Sequence, residues 1–552
     1  MRLEKFILDI LNSKRKINLI YLITLILFIL SILTFPTKIV KAKMLPNKDS
    51  DSFSIYVDLK DGSSKYETKE LVDCIVKNLQ DEENITNISA FISQGQPIDF
   101  AGLVKQSALK NSENQAELMI NIKRFKDREI TSYNLISNLR STIQDSCQKK
   151  YEATIKFIEL PAGPPVLASL VAEIYGGDSF SSRRDFAIKV ANIFKNQDTL
   201  VDIDILASKD FFTYTLEINS NKAIMSQVDL EHLKATLYLA FEGMSLGVIN
   251  DKNAQSQIPI FLRLDDSRNL SNNTKDALNL KLNSLKIMNN TGQMISISEL
   301  VSIKQTIKEP TITSKNLNPI INVIAETSND SQIYPLLSSR EDMIKSFSND
   351  YEIIKTNMLN ISFIDKKTNE RFDLVFDGEL KVTIDTFIDL GTAFIIALIL
   401  IFLLMVVYYK NFALSGAIVL SSFISIIGVI FAHIIMDIFT KDTFYLTATS
   451  LIGFIALIGI NSRNSTLIID FVKQLILENN LGVNEAIAKA AATRSKPIIL
   501  TVLVLVFASS LIANDAVFGG LGVALIGGTL ISYIVSMFFV PVVIRNSLKK
   551  IV

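Results

Sequence analysis

Residues 459 to 471 read GINSRNSTLIIDF, so that an arginine, two asparagines, two serines and a threonine interrupt an otherwise apolar stretch. The flanks, TFYLTATSLIGFIAL and TLIIDF, have the length and apolarity of a bilayer-spanning helix, which makes Arg463 an intramembrane charge. Insertion scales disfavour a central arginine by about 2.5 to 3.5 kcal/mol, so it is expected to face a bundle interior or to snorkel toward the interface. Phe471 lies about 12 Å of helix rise beyond it, within a long side chain's reach of the cytoplasmic side. Against snorkelling, Gly459, Arg463, Thr466 and Asp470 share one helical face, and Asn461, Asn464 and Ser465 make an adjoining polar strip. Lipid would leave those groups unsatisfied, so an interior polar network is the favoured expectation.

A guanidinium stays protonated, so Arg463 can act only as a fixed countercharge, and a proton relay would need a titratable acid opposite it. No apolar segment offers a central carboxylate, because Asp389 and Asp470 fall at helix ends. The acid is therefore expected from another chain. The remaining reactive types are sparse: His232 and His433 are the only histidines, and Cys74 and Cys147 the only cysteines. They form no zinc set, Cys-His dyad or phosphate-binding loop, so neither an enzyme nor a cofactor is expected. His433 reads as a packing or interfacial residue.

Six segments are long and apolar enough to position such a site: from Ile17, from Leu390, from Phe412, Thr443 to Phe471, from Pro497, and Ala516 to Ile544. The first stands alone and five are clustered. Arg2, Lys5, Lys14, Arg15, Lys16, Lys410, Lys473, Lys489, Arg494, Lys496, Arg545, Lys549 and Lys550 all fall on one side if both termini are cytoplasmic. The long polar region between the first and second spans is then extracytoplasmic. The first span exceeds a usual signal-peptide core and reads as a retained anchor. Before it, Leu3, Phe6, Ile7, Ile10 and Leu11 recur at helical spacing, which suits a helix on the membrane surface or one packed on a neighbour. A formal net charge of zero argues against nucleic-acid partners.

The polar region opens as strand SFSIYVDL, helix TKELVDCIVKNL, strands ITNISAFI and ELMINIK, helix SYNLISNLRSTIQDSC and strand ATIKFIEL. That order predicts a ferredoxin-like split βαβ unit. PAGPP at 161–165 closes it. A second unit starts at LASLVAEIYG and a helix near SRRDFAIKVANIFKN, is interrupted after TLVDIDIL, and resumes at NPIINVIAE. The interruption contains TYTLEINS, a helix around Leu230 to Phe241, IPIFLRL and the hairpin SLKIMNNTGQMISISEL. Cys74 and Cys147 lie in the two helices of the first unit, where a disulfide and two separately buried thiols are both open. The fold class is thus an α-helical membrane bundle of six spans, one plus five, with a large α+β extracytoplasmic domain.

GINSRNSTLIIDFVKQLILENNLGVNEAIAKAAATRSKPIILT, followed by FGGLGVALIGGTLISYIVSMFFVPVVI, resembles the tenth to twelfth membrane helices of resistance-nodulation-division (RND) efflux transporters of the acriflavine-resistance type. VKAKMLPNKDSDSFSIYVDL and PAGPPVLASLVAEIYG resemble the start of that family's second half. The resemblance implies a cytoplasmic helix at 1–16, a span at 17–36, a porter subdomain at 37–162 and a second at 163–206 with 311–385. It further implies a docking subdomain inserted at 207–310, a five-helix bundle at 386–545 and a tail at 546–552. In the family a lysine on this helix faces two aspartates from the N-terminal half; Arg463 matches the lysine, Asn464 the asparagine after it, and Thr501 a nearby threonine. The implied function is one half of a proton-driven pump for amphiphilic molecules in the inner membrane. Its implied partners are a complementary N-terminal half, a trimeric assembly, a periplasmic adaptor and an outer-membrane channel. Arginine for lysine keeps the charge but changes its shape. The rival expectations are a protein-export accessory of the SecD/SecF kind, disfavoured by NSRNS where an aspartate motif belongs, and an inactive split-gene remnant.

Overall fold

The structure is a computed structural model that describes residues 2–254, 257–264, 275–328, 330–440 and 442–548. Lys549 and Lys550, used above for orientation, lie outside the described residues, as does part of the 207–310 insertion. The chain forms two compact units: Met1–Ala207 with Ile312–Val552, and Ser208–Thr311.

In the first unit, β1 (Ser52–Asp58), β2 (Ile85–Ile92), β3 (Gln115–Ile122) and β4 (Thr154–Ile158) form an antiparallel sheet in the order β2-β3-β1-β4. The helices Lys65–Gln80 and Ser132–Ile143 follow β1 and β3. The first of them starts at Ser64 because Ser64 and Glu67 close a reciprocal capping box. It buries Leu71, Val72, Ile75 and Leu79, one stripe at helical spacing, in a core shared with Phe53, Ile55 and Leu118. Cys74 and Cys147 are joined in a disulfide with their Cα atoms 6.0 Å apart, so the bonded alternative is the one adopted. Cys147 sits on a π-helical turn, Gln144–Gln148, that prolongs the helix 132–143.

A second sheet repeats the plan. Its strands Leu200–Leu206, Asn318–Thr327, Leu170–Gly176 and Arg371–Asp377 stand in the places of β2, β3, β1 and β4. The expected break between TLVDIDIL and NPIINVIAE is present, while the hairpin Tyr351–Thr356 and Asn360–Asp365 extends the sheet beyond the anticipated strands. Phe186, Phe347, Phe363 and Phe372 pack ring to ring in its core.

The unit Ser208–Thr311 pairs Phe212–Ile218 with Val301–Ile307, and Met244–Ile249 with Ile258–Leu262. It also contains the anticipated helix, Leu230–Phe241, and the hairpin Lys286–Met288 with Met294–Ser296.

Among the described residues, six helices are long and apolar enough to cross a membrane: Lys14–Leu33, Glu379–Tyr409, Phe412–Phe439, Ala448–Asn479, Val483–Ile512 and Gly519–Leu548. The second begins well before Leu390, running straight on from the second sheet. The fifth begins before Pro497 instead of at it, because the preceding alanine-rich turns favour helix strongly enough to carry the proline inside. Helix Arg2–Asn12 buries Ile7, Ile10 and Leu11 against the bundle core, so its apolar face is covered by neighbouring helices.

Candidate functional site

The fourth apolar helix, Ala448–Asn479, positions the polar run. Its start is set by a capping box between Thr447 and Ser450. Ser450 also meets Nε2 of His433, which is fully buried and holds the Val429 carbonyl with its other ring nitrogen. His433 thus packs inside the bundle and stitches the third helix to the fourth.

The structure divides the run by face. Asn461, Ser462, Asn464 and Ser465 are buried. Asn461 Oδ1 accepts from Ser532 Oγ at 2.8 Å and Ser536 Oγ at 3.4 Å, Ser465 meets Ser421 at 3.0 Å, and Ser462 meets Ser422 at 3.3 Å. These bonds tie the fourth helix to the third and the sixth. The amide nitrogens of Asn461 and Asn464 are buried without a partner among the described residues. Thr466 Oγ1 lies 3.8 Å from Met405 Sδ.

Arg463 is not part of that network. It is exposed and makes no hydrogen bond or ion pair with any described residue. Ile452, Ala456, Gly459, Arg463 and Leu467 form one uncovered stripe on the helix, and a Cβ placed at Gly459 would meet nothing within 4 Å. The expectation of an interior Arg463 network is therefore not met within this chain: the helix buries its small amides and hydroxyls and turns the cation outward. The physical reason is fit, since serine hydroxyls reach the Asn461 carbonyl oxygen at close helix approach, whereas a buried guanidinium needs a counterion that the described residues do not offer.

Asp470 does not serve as that counterion. Its oxygens accept from Tyr409 at 2.8 Å and Tyr408 at 3.4 Å, both at the end of the second helix. Sequence reasoning did not assign these tyrosines; their adjacency at a span terminus, where aromatics anchor helices, was the available signal. Thr501 is exposed on the fifth helix and donates to its own Ile498 carbonyl at 2.8 Å, with no bond to Arg463. The second helix is likewise largely uncovered within the chain, whereas about half of the fourth is buried.

A family model described as the AcrB/AcrD/AcrF family matches residues 2–545. The chain belongs to this family of RND permeases. Among its relatives, the swarming motility protein SwrC of Bacillus subtilis is 23% identical over 66% of the chain and 32% of that protein. The multidrug export protein AcrF of Escherichia coli is 29% identical over 28% of the chain and 15% of AcrF. The solvent-resistant pump membrane transporter SrpB of Pseudomonas putida is 20% identical over 92% of the chain and 44% of SrpB. The crystal structure of a heavy metal efflux pump superposes with a TM-score of 0.73 at 16% identity, covering 99% of this chain and 52% of that one. The chain thus shares the RND pump fold and spans less than half the length of these curated relatives. Within the family it is a multi-pass membrane protein with sheet-rich domains.

Proposed function

We propose that these residues act as the C-terminal half of a proton-driven RND efflux pump for amphiphilic molecules, with Arg463 as the fixed cation of the proton relay. The observation that carries the reading is an arginine on a membrane-spanning helix, exposed, unpaired among the described residues, and set on a face that no other helix of the chain covers. Such a charge costs about 2.5 to 3.5 kcal/mol in a bilayer, and a carboxylate brought by another protein surface would offset that cost. A complementary N-terminal half supplies that acid in this reading, and the acid, not Arg463, takes up and releases the proton. Asn464 and Thr501 flank the relay, while Asn461, Ser465, Thr466 and Asp470 hold the helix in register.

The ferredoxin-like strand order of both sheets supports their assignment as porter subdomains, and the compact unit Ser208–Thr311 their inserted docking subdomain. One span before and five after that region, read with both termini cytoplasmic, support a periplasmic location for the sheets, and the Cys74–Cys147 bond fits such an oxidising compartment. A trimer working with an adaptor and an outer-membrane channel completes the proposal.

Co-expressed with a matching N-terminal half, the chain should confer dye efflux that an uncoupler stops, and Arg463→Ala should remove it while membrane abundance stays unchanged. Efflux that survives Arg463→Ala would refute the assignment.

A further inference from the structure

Away from the polar run, the chain gathers cations where the helix Arg2–Asn12 meets the first span. Ser13, in an extended conformation, alone separates that helix from Lys14–Leu33, so the two meet at an elbow. Arg2, Lys5 and Asp9 lie at i, i+3 and i+7 on the side of Arg2–Asn12 that the bundle leaves open. Asp9 pairs with Lys16, which brings this strip against the head of the first span. Asn12 Oδ1 accepts from Asn484 Nδ2 at 2.8 Å, and Asn484 Oδ1 accepts from Arg545 Nε at 3.1 Å, so the elbow is fixed to the fifth and sixth helices. Arg2, Lys5, Lys14 and Arg15 are exposed and make no hydrogen bond or ion pair with any described residue.

An apolar track begins directly beneath these charges. Arg15, Leu19, Leu22 and Ile26 follow i, i+4, i+7 and i+11 spacing, so one face of the first span carries a cation at its head and apolar side chains below. Leu19, Leu22 and Ile26 are 52%, 53% and 46% exposed, so no other helix of the chain covers the track. Phe6, itself exposed, stands edge-on to Phe538 at 6.0 Å, and Tyr21, about two turns below Lys14, stands edge-on to Phe539 at 6.0 Å. Aromatic side chains at the ends of spans settle at the level of the lipid headgroups. The apolar side of Arg2–Asn12 is already buried on the bundle, so this helix offers the membrane its charges and not an inserted apolar face.

We propose that the elbow and the track below it form a site for an anionic phospholipid, with Arg2, Lys5, Lys14 and Arg15 around the headgroup and an acyl chain along Leu19, Leu22 and Ile26. Charge complementarity selects the headgroup, since unpaired cations beside a span are drawn to anionic lipid and a guanidinium can hold two phosphate oxygens at once. The track selects a lipid over a free phosphate, because only a lipid brings chains that cover the exposed apolar side chains. The inference is independent of the efflux reading, as it involves neither Arg463 nor a second polypeptide.

The test is native mass spectrometry of the full chain released from nanodiscs made of phosphatidylcholine and phosphatidylglycerol in equal parts. The unaltered chain should retain phosphatidylglycerol over phosphatidylcholine by about tenfold, and Arg2→Gln, Lys5→Gln, Lys14→Gln and Arg15→Gln together should cut that ratio to about twofold. Arg2→Lys with Arg15→Lys keeps the charges and should keep the preference, and Lys195→Gln with Lys367→Gln, beside the second sheet, should leave it unchanged. Where the quadruple variant does not insert, Arg15→Gln alone serves and should lower the ratio about threefold. Photoreactive benzoylphenylalanine in place of Phe6 should crosslink to phospholipid. The site is overturned if the unaltered chain retains both lipids equally, or if neither the quadruple variant nor Arg15→Gln changes the ratio. It is equally overturned if inorganic phosphate displaces the retained lipid, or if the crosslink at position 6 joins only a second copy of the chain.

Discussion

At the scale of single residues, the structure separates charges that the fold satisfies from a charge that it leaves open. Asp58 on β1 is representative of the first kind: Lys156 Nζ lies 3.0 Å away, Lys110 Nζ 3.5 Å, and Gln115 Nε2 donates at 3.1 Å. Burial alone would raise its carboxyl, but the two lysines and these bonds hold it down at about 2. A depressed carboxylate contributes stability above its unfolded value, near 3.9, and loses that contribution as pH falls through the folded value. Stability of the sheet region should therefore drop between about pH 4 and pH 2, and Lys156→Met should move that drop to higher pH, as acid unfolding followed by circular dichroism will show. An unshifted midpoint would remove Lys156 from the account. Arg463 is the opposite case, with a charge but no partner among the described residues.

At the scale of elements, small residues decide which helices approach closely. Gly428 of the third apolar helix and Gly527 of the sixth sit backbone to backbone: a Cβ at Gly527 would lie 2.3 Å from the Gly428 carbonyl oxygen and 2.3 Å from Ala432 Cβ. In a bilayer, where helix association relies on packing and interhelical hydrogen bonds, such contacts are the main means of holding the third, fourth and sixth helices together. The serine and asparagine bonds of the polar run cross the same interfaces. Gly527→Ala should destabilise the bundle by about 1–3 kcal/mol, read as a lower unfolding temperature in detergent. Gly391→Ala on the second helix, where a Cβ meets nothing within 4 Å, is the control and should leave it unchanged. Equal effects at both sites would refute the packing argument.

At the scale of the whole molecule, the first, second and fifth apolar helices present largely uncovered faces, while the third, fourth and sixth form the packed centre. The proposed orientation makes a direct prediction. A cysteine at Asn514, between the last two apolar helices, should react with a membrane-impermeant maleimide in intact spheroplasts, and one at Glu478 only after permeabilisation. The reverse pattern would invert the molecule and place the sheets in the cytoplasm.

Much of this was readable from the sequence because its causes are local. Apolar length marked the six long helices, hydrophobic periodicity marked the first β-α-β-β-α-β run and the opening elements of the second, and the polar interruption around Arg463 stood out within a single helix. The limits of the fifth helix were misjudged because Pro497 is a local signal that a long alanine-rich helix overrides. What remained hidden depends on residues far apart in sequence. The sequence placed Arg463, Asn461 and Asn464 in one polar run, but only the packing of the third, fifth and sixth helices determined that the asparagines are covered and the arginine is not. Likewise, the Cys74–Cys147 bond required the folded chain, because a side chain's partner is set by which surfaces meet and no local pattern encodes that meeting.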